Sequence, residues 1–224
     1  MFKNLLDFWK GKDFLSEVLE EFNAMLEDAM LMFRSSYGKL VHGEDSDVMG
    51  QEVYDLDQRI NARQKEIRKR IIEHLSVNPT VDVMACLLLF SVTKDAERLG
   101  DFAKNLYENS VLLVKPFNME TYNELFGDME TEILDLFINT REAFIESDEE
   151  KAKKAWEYQR RIKRRCNEII YKVSRSEMAV NEAVCMALTA RYLRRIASHL
   201  TNIATSVIVP LSDLDYFNDK REGQ

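Results

Sequence analysis

Apolar residues recur along this chain at alternating steps of four and three, and that period commits most of its length to amphipathic helix. The clearest seam runs Val92, Ala96, Leu99, Ala103, Leu106, Ser110 and Leu113, and it stops before Pro116. A second stripe, Val53, Leu56, Ile60, Ile67 and Ile71, keeps the same spacing with one weak turn. Only 7 Gly and 3 Pro punctuate the 224 residues, which favours long helices over short strands joined by turns. The predicted fold class is all-α.

Start and stop signals divide that pattern into six helices. The first spans about 13–40 and gives way to the acidic, Gly-containing stretch HGEDSDVMG, which reads as a loop. The second begins near Gln51. Asn78 is placed to cap a third helix with Pro79 at its first position, and a fourth covers about 119–145. Ser147-x-x-Glu150 reads as a capping box opening helix five, which carries Ala155, Tyr158, Ile162, Ile169 and Val173. Ser174-x-x-Glu177 reads as another, opening helix six with Ala183, Ala190, Leu193, Ile196, Leu200, Ile203 and Val207 before Pro210. The polar tail DKREGQ reads as frayed.

The order is therefore helix, helix, long helix, twice over. Setting AERLGDFAKNL, from Ala96, against LRRIASHLTNI, from Leu193, aligns Arg98 with Arg195, Leu99 with Ile196, Gly100 with Ala197 and Asn105 with Asn202. Amphipathicity does not require the shared Arg, small residue and Asn, so an internal duplication accounts for them better. The architecture predicted is two tandem, pseudo-symmetric three-helix bundles, residues 1–115 and 116–224, each trio closing around its own apolar interior.

Several function classes are disfavoured. A net charge of -8 argues against broad nucleic-acid affinity. Cys86, Cys166 and Cys185 form neither a CxxC nor a zinc-like spacing, and their odd count does not suggest a disulfide framework, which fits a reducing cytoplasm. The opening MFKNLLDFWKGKDF lacks the apolar core of a secretion signal. Residues 83–92, the most apolar stretch, are about half the length a bilayer requires and read as a core helix segment. No P-loop, Gly-rich dinucleotide turn, G-x-S-x-G or HExxH is present. His42, His74 and His199 are isolated from one another and none supplies Glu-x-x-His, which speaks against a ferritin-like di-metal oxidase. The ten Met read as adaptable core filling.

Two segments, Asp57-Gln58-Arg59-Ile60-Asn61-Ala62-Arg63-Gln64 and Glu97-Arg98-Leu99-Gly100-Asp101-Phe102-Ala103-Lys104-Asn105-Leu106, resemble the PhoU family patterns D-x-x-I-D-x-x-E and E-R-I-G-D-x-A-x-N-I. The resemblance covers nearly the whole chain. It implies a cytoplasmic, non-enzymatic regulator of phosphate uptake, an adaptor on a phosphate transporter subunit or a phosphate-signalling histidine kinase, and a homodimer. It also implies a hard cation, iron or magnesium, held by Glu97, Asp101, Asp57 and Asn61. Residues four apart share a helical face, so Glu97 and Asp101 suit one cation, with Asp57 and Asn61 approaching from the neighbouring helix. Plain solvated surface acids, offset by Arg98 or Lys104, are the other reading of the same pair.

The chain departs from the family pattern in one direction. Asn61 and Gln64 stand where acids are expected, which lowers cation affinity. In the second repeat the corresponding positions are Gln159, Lys163, Cys166, Arg194 and Ser198, which argues against a second metal site.

Charge is also segregated. Residues 151–195 hold 13 Lys or Arg against 4 acids, whereas 117–150 hold 11 acids against 1 Arg. Mutual compensation between antiparallel helices is one reading. An anion site at Lys163 and Arg194, for phosphate, polyphosphate or an acidic partner, is the other. The amphipathic start, with Leu5, Leu6, Phe8 and Trp9 among Lys3, Lys10 and Lys12, packs on its own bundle or touches a membrane peripherally. Beside the regulator stand two further classes, a helical scaffold without metal and a di-metal carboxylate enzyme.

Overall fold

Each amphipathic stripe needs an apolar surface to cover it, and here the stripes cover one another in two sets of three. The computed structural model describes residues 13–44 and 49–214. Its elements are α1 (Asp13–Tyr37), a π-helical turn (Gly38–His42), α2 (Met49–Val77), α3 (Val83–Leu112), α4 (Met119–Phe126), α5 (Met129–Glu146), α6 (Glu149–Val173), α7 (Val180–Thr205) and a closing 3-10 turn (Leu211–Asp213). Helices α1, α2 and α3 pack on one another, as do α5, α6 and α7, and the two sets meet through α3 against α7 and α1 against α5.

The α2 stripe is buried in full at Val53, Leu56, Ile60, Ile67 and Ile71. One constant offset carries it onto Ala155, Tyr158, Ile162, Ile169 and Val173 of α6, where all but the half-buried Tyr158 are buried. The repeat is therefore one of packing as well as of sequence. Each of these Ile side chains contributes at most about 1.5–3 kcal/mol by leaving water. The α3 seam is buried from Val92 to Leu106, while Ser110 and Leu113 are only half-buried near the helix end.

Residues 83–92 contribute to the core through Ala85, Cys86, Leu88, Leu89 and Val92, but Met84, Leu87 and Phe90 form an outward stripe at three-residue spacing. The expected pair of separate interiors is also revised. Buried residues from all the long helices form one continuous apolar cluster, because α3 and α7 turn apolar surface towards each other as well as inwards.

Four helix boundaries differ from expectation, each for a local reason. Asn78 does not cap α3: its carbonyl accepts from the Val81 amide at 3.1 Å, so Pro79 sits at the second position of a turn, where its fixed φ is equally suited. Helix α3 starts after Asp82, at φ 61. The expected fourth helix is two, because Gly127 adopts φ 52 and ends α4 before Asp128 begins the next turn. Ser147 is not the cap of α6; it terminates α5 in the left-handed region at φ 53. Asp148 caps instead, its side chain accepting from the amides of Glu150 at 2.9 Å and Lys151 at 3.0 Å. Ser174 likewise closes α6, its amide bonded to the Ile170 carbonyl, and α7 begins six residues later at Val180. The amphipathic start at residues 1–12 and the DKREGQ tail lie outside the described residues.

Candidate functional site

The first-repeat acidic set stands where α2 and α3 approach closely. A Cβ on Gly100 would lie 3.0 Å from Ile60 Cδ1, so glycine lets the helices close and brings Asp57 and Asn61 alongside Glu97 and Asp101. The acids carry their own counter-charges. Lys104 Nζ donates to Asp57 Oδ2 at 2.9 Å, and Arg98 donates to Asp101 Oδ2 at 2.6 Å while standing 3.6 Å from Glu97.

Burial raises the pKa of Glu97, with Asp101 adding to the rise and Arg98 opposing it. Burial is the largest single influence on Lys104 and works against its charge, but the bond to Asp57 together with the negative charges of Asp57, Asp101 and Glu108 outweighs it and holds that pKa above the ordinary value. A hard cation requires several oxygens turned to one point. Among the described residues no three His, Cys, Asp or Glu side chains gather in that way, and the set stands as an ion-pair network rather than a formed coordination sphere.

The second-repeat positions form a different surface. Gln159 and Cys166 are buried on α6, and burial pushes the Cys166 thiol up to about 12 although Arg194 and Arg165 favour the thiolate. Lys163 is half-buried on α6. Across on α7, Arg194 donates to Asn167 Oδ1 at 2.6 Å, one turn beyond Lys163, and Ser198 turns back to the Arg194 carbonyl at 3.0 Å.

Charge compensation between α5 and α6 is realised on one flank. Arg161 meets Glu132 at 3.2 Å, Arg165 meets Asp128 at 2.8 Å and Glu132 at 3.4 Å, and Lys151 meets Glu142 at 3.1 Å and Glu146 at 3.0 Å. The offset relating Ile60 to Ile162 also relates Arg59 to Arg161 and Arg63 to Arg165. Arg59 pairs with Asp28 and Arg63 with Glu21 on α1, so the same bridge between first and second helices recurs in both repeats.

Sequence reasoning missed a polar cluster between the repeats. His199 Nδ1 lies 2.8 Å from Asp95 Oδ1, and the Asn202 amide donates to the same oxygen at 3.2 Å. Further along, Asn109 donates to the Cys185 carbonyl at 2.9 Å and to Thr189 Oγ1 at 3.0 Å. These pairs place the end of α3 beside the start of α7, so the two long helices run antiparallel. Phe102 stacks on His199 with ring centres 5.6 Å apart, and the two are related by the offset that relates Arg98 to Arg195. The pseudo-symmetry axis passes between them. The signal in the sequence was an acid, Asp95, beside the apolar seam between Val92 and Ala96; its partner lies too far along the chain for any periodicity to find.

The other histidines pair with different acids. His42 lies 3.0 Å from Glu130, and His74 lies 3.4 Å from Asp82 while stacking on Phe14. Among the described residues no helix is long and apolar enough to cross a membrane.

Antiparallel long helices, a shared core and a first-to-second-helix bridge repeated in each half define the class: an all-helical protein built from a duplicated three-helix unit. The PhoU domain model matches the chain twice, over residues 15–110 and 126–207. The chain therefore belongs to the PhoU family.

Among similar proteins is a phosphate-specific transport system accessory protein PhoU homolog of Clostridium acetobutylicum, 24% identical over 170 residues, covering 71% of this chain and 76% of that one. Another, PhoU homolog 1 of Thermotoga maritima, is 22% identical over 176 residues, 73% of each chain. The crystal structure of PhoU from Pseudomonas aeruginosa superposes with a TM-score of 0.75 at 20% identity, covering 87% of this chain and 95% of that one. The phosphate transport system regulatory protein PhoU from Streptococcus pneumoniae gives 0.75 at 17% identity, covering 90% and 94%.

Proposed function

We propose that this chain is a PhoU-like regulator of phosphate uptake and phosphate homeostasis, acting in the cytoplasm as a non-enzymatic adaptor on a phosphate transporter subunit or a phosphate-signalling histidine kinase. The observation that carries the reading is the double match to the PhoU domain, one per bundle, in a chain whose relatives are named as phosphate-transport accessory proteins. The arrangement of groups suits binding better than turnover: the acids of the first repeat are paired with cations, and the thiol of Cys166 is buried and protonated. Affinity capture of the tagged chain from cells grown at high and low phosphate tests it. Phosphate-system proteins are expected in the eluate, together with altered phosphate uptake in cells lacking the chain. Capture of unrelated proteins, with normal uptake, favours the helical scaffold.

A hard cation, iron or magnesium, at Glu97, Asp101, Asp57 and Asn61 is a separate part of the proposal. It is supported by the nearness of the Asp101 and Asp57 carboxylates to Glu97, whose pKa is raised by burial first and by those charges second. A bound cation would take over the charge balance now supplied by Lys104 and Arg98. Calorimetric titration with Mg2+ and Fe2+ is expected to show binding that Asp101→Asn removes; no heat in the parent chain leaves the ion pairs as the whole account of these residues.

A further inference from the structure

Helix α6 carries nine Lys and Arg against four acids in a protein whose net charge is -8. Its cations divide by flank. Arg161 and Arg165, one turn apart, face α5 and are matched by Asp128 and Glu132. Arg160 and Arg164, also one turn apart, lie towards the other flank and, with Lys163, Asn167, the acid Glu157 and Arg161, which borders both sides, line a shallow depression along the helix.

Three of the charges there, on Arg160, Arg164 and Arg194, are weakly answered. Arg164 meets Glu168 at 3.8 Å, but the two side chains are 77% and 62% exposed, and such a pair is largely screened by water. Arg160 lies over the Trp156 ring at 4.9 Å, a contact that orients the guanidinium without neutralising it. Arg194 reaches in from α7 to a neutral amide, Asn167, and keeps its full charge. In the first repeat the positions equivalent to Lys163 and Arg194 are Asn61 and Glu97, so the duplicated face has changed sign.

We propose that this flank of α6, with Arg194, binds a chain of linked phosphates. Planar guanidinium groups match phosphate oxygens through paired N–H donors, and a lysine adds a point charge. The donors from Arg160 through Lys163 and Arg164 to Asn167 follow one flank for roughly 10 Å at 1.5 Å per residue. Successive phosphates fill such a row, whereas a single orthophosphate engages only part of it. The choice of phosphate among polyanions rests on the regulator reading; the row of cations does not.

Calorimetry on the purified full chain near 0.15 M salt tests the proposal with tripolyphosphate, long-chain inorganic polyphosphate, ATP and orthophosphate. Tripolyphosphate is expected to bind saturably and at least tenfold more tightly than orthophosphate. Comparing ATP with the inorganic chains tells whether the source is a nucleotide or inorganic polyphosphate. Reversing Arg160 and Arg164 together, or Lys163 and Arg194 together, is expected to weaken binding about tenfold or more, consistent with the loss of charge-assisted hydrogen bonds. The neutral pair Arg160→Gln and Arg164→Gln supplies a milder change should either reversal misfold. Lys69→Glu, which reverses an exposed cation on α2, is expected to leave binding unchanged.

Four results would overturn the proposal: no saturable binding, equal loss in Lys69→Glu, orthophosphate binding as tightly as tripolyphosphate, or ATP binding without any inorganic chain. Binding of an unphosphorylated glutamate-rich peptide in place of phosphates would also overturn it and assign the flank to a protein partner. None of these readouts depends on the capture experiment, so the two readings fail separately.

Discussion

Asp95 and His199 are each isolated in sequence, yet together they form the polar centre of the seam between the two bundles. Both are buried, and the Nε2 of His199 has no hydrogen-bond partner among the described residues, so Nδ1 and Asp95 carry the whole polar contact of that ring. Asp95→Ala leaves the imidazole wholly unpartnered and is expected to cost about 2–3 kcal/mol. Chemical denaturation of the two single alanine variants and the double variant is expected to give a coupling of about 1 kcal/mol or more; simple additivity would show that the pair does not act as a unit. Glu97 makes the opposite case. Its raised pKa means that the ionised form costs the fold something, and that the cost fades as pH falls through the range where Glu97 takes up a proton. Glu97→Gln is therefore expected to stabilise by about 0.5 kcal/mol at pH 7. Thermal denaturation is expected to show that gain vanishing below the ordinary carboxyl value of 4.5.

Helix bodies were legible in the sequence and helix ends were not. The α2 stripe was read residue for residue because five apolar positions at one period leave no other face to bury. Ends depend on which of several adjacent polar residues takes the cap, and Ser147 and Asp148 compete for one helix start. Asp148 holds the two free amides, so Asp148→Ala is expected to lower stability by about 1 kcal/mol in urea titrations. Ser147 sits at φ 53, so Ser147→Gly is expected to raise stability by several tenths of a kcal/mol up to about 1 kcal/mol. A capping box centred on Ser147 would require the opposite order of effects. The broken fourth helix has the same character: Gly127 was visible, but only its positive φ turns a helix-tolerated glycine into a stop.

At the scale of the molecule, duplication shows in the recurrence of buried positions and of the bridges from Arg59 and Arg161, while the contact between the copies is new. Because one apolar cluster runs through both bundles and α3 packs along α7, unfolding is expected to be a single cooperative transition. Trp156 fluorescence, read in a Trp9→Phe background, and far-UV circular dichroism should give coincident curves on heating. Two separated transitions would show that the bundles are stable independently.

The sequence by itself determined the helical class, the faces each helix buries, the duplication and the loss of acids from the second repeat. All of these follow from periodicities and substitutions local to one segment of chain. Only the tertiary structure decided that the two interiors merge, that Asp95 finds His199, that Lys104 and Arg98 occupy the acidic set, and that Arg161 and Arg165 are matched by Asp128 and Glu132 while Arg160 lies over Trp156 and Arg164 meets an exposed Glu168. Those outcomes depend on distances between segments far apart along the chain, and helical period carries no information about which partner stands across the gap.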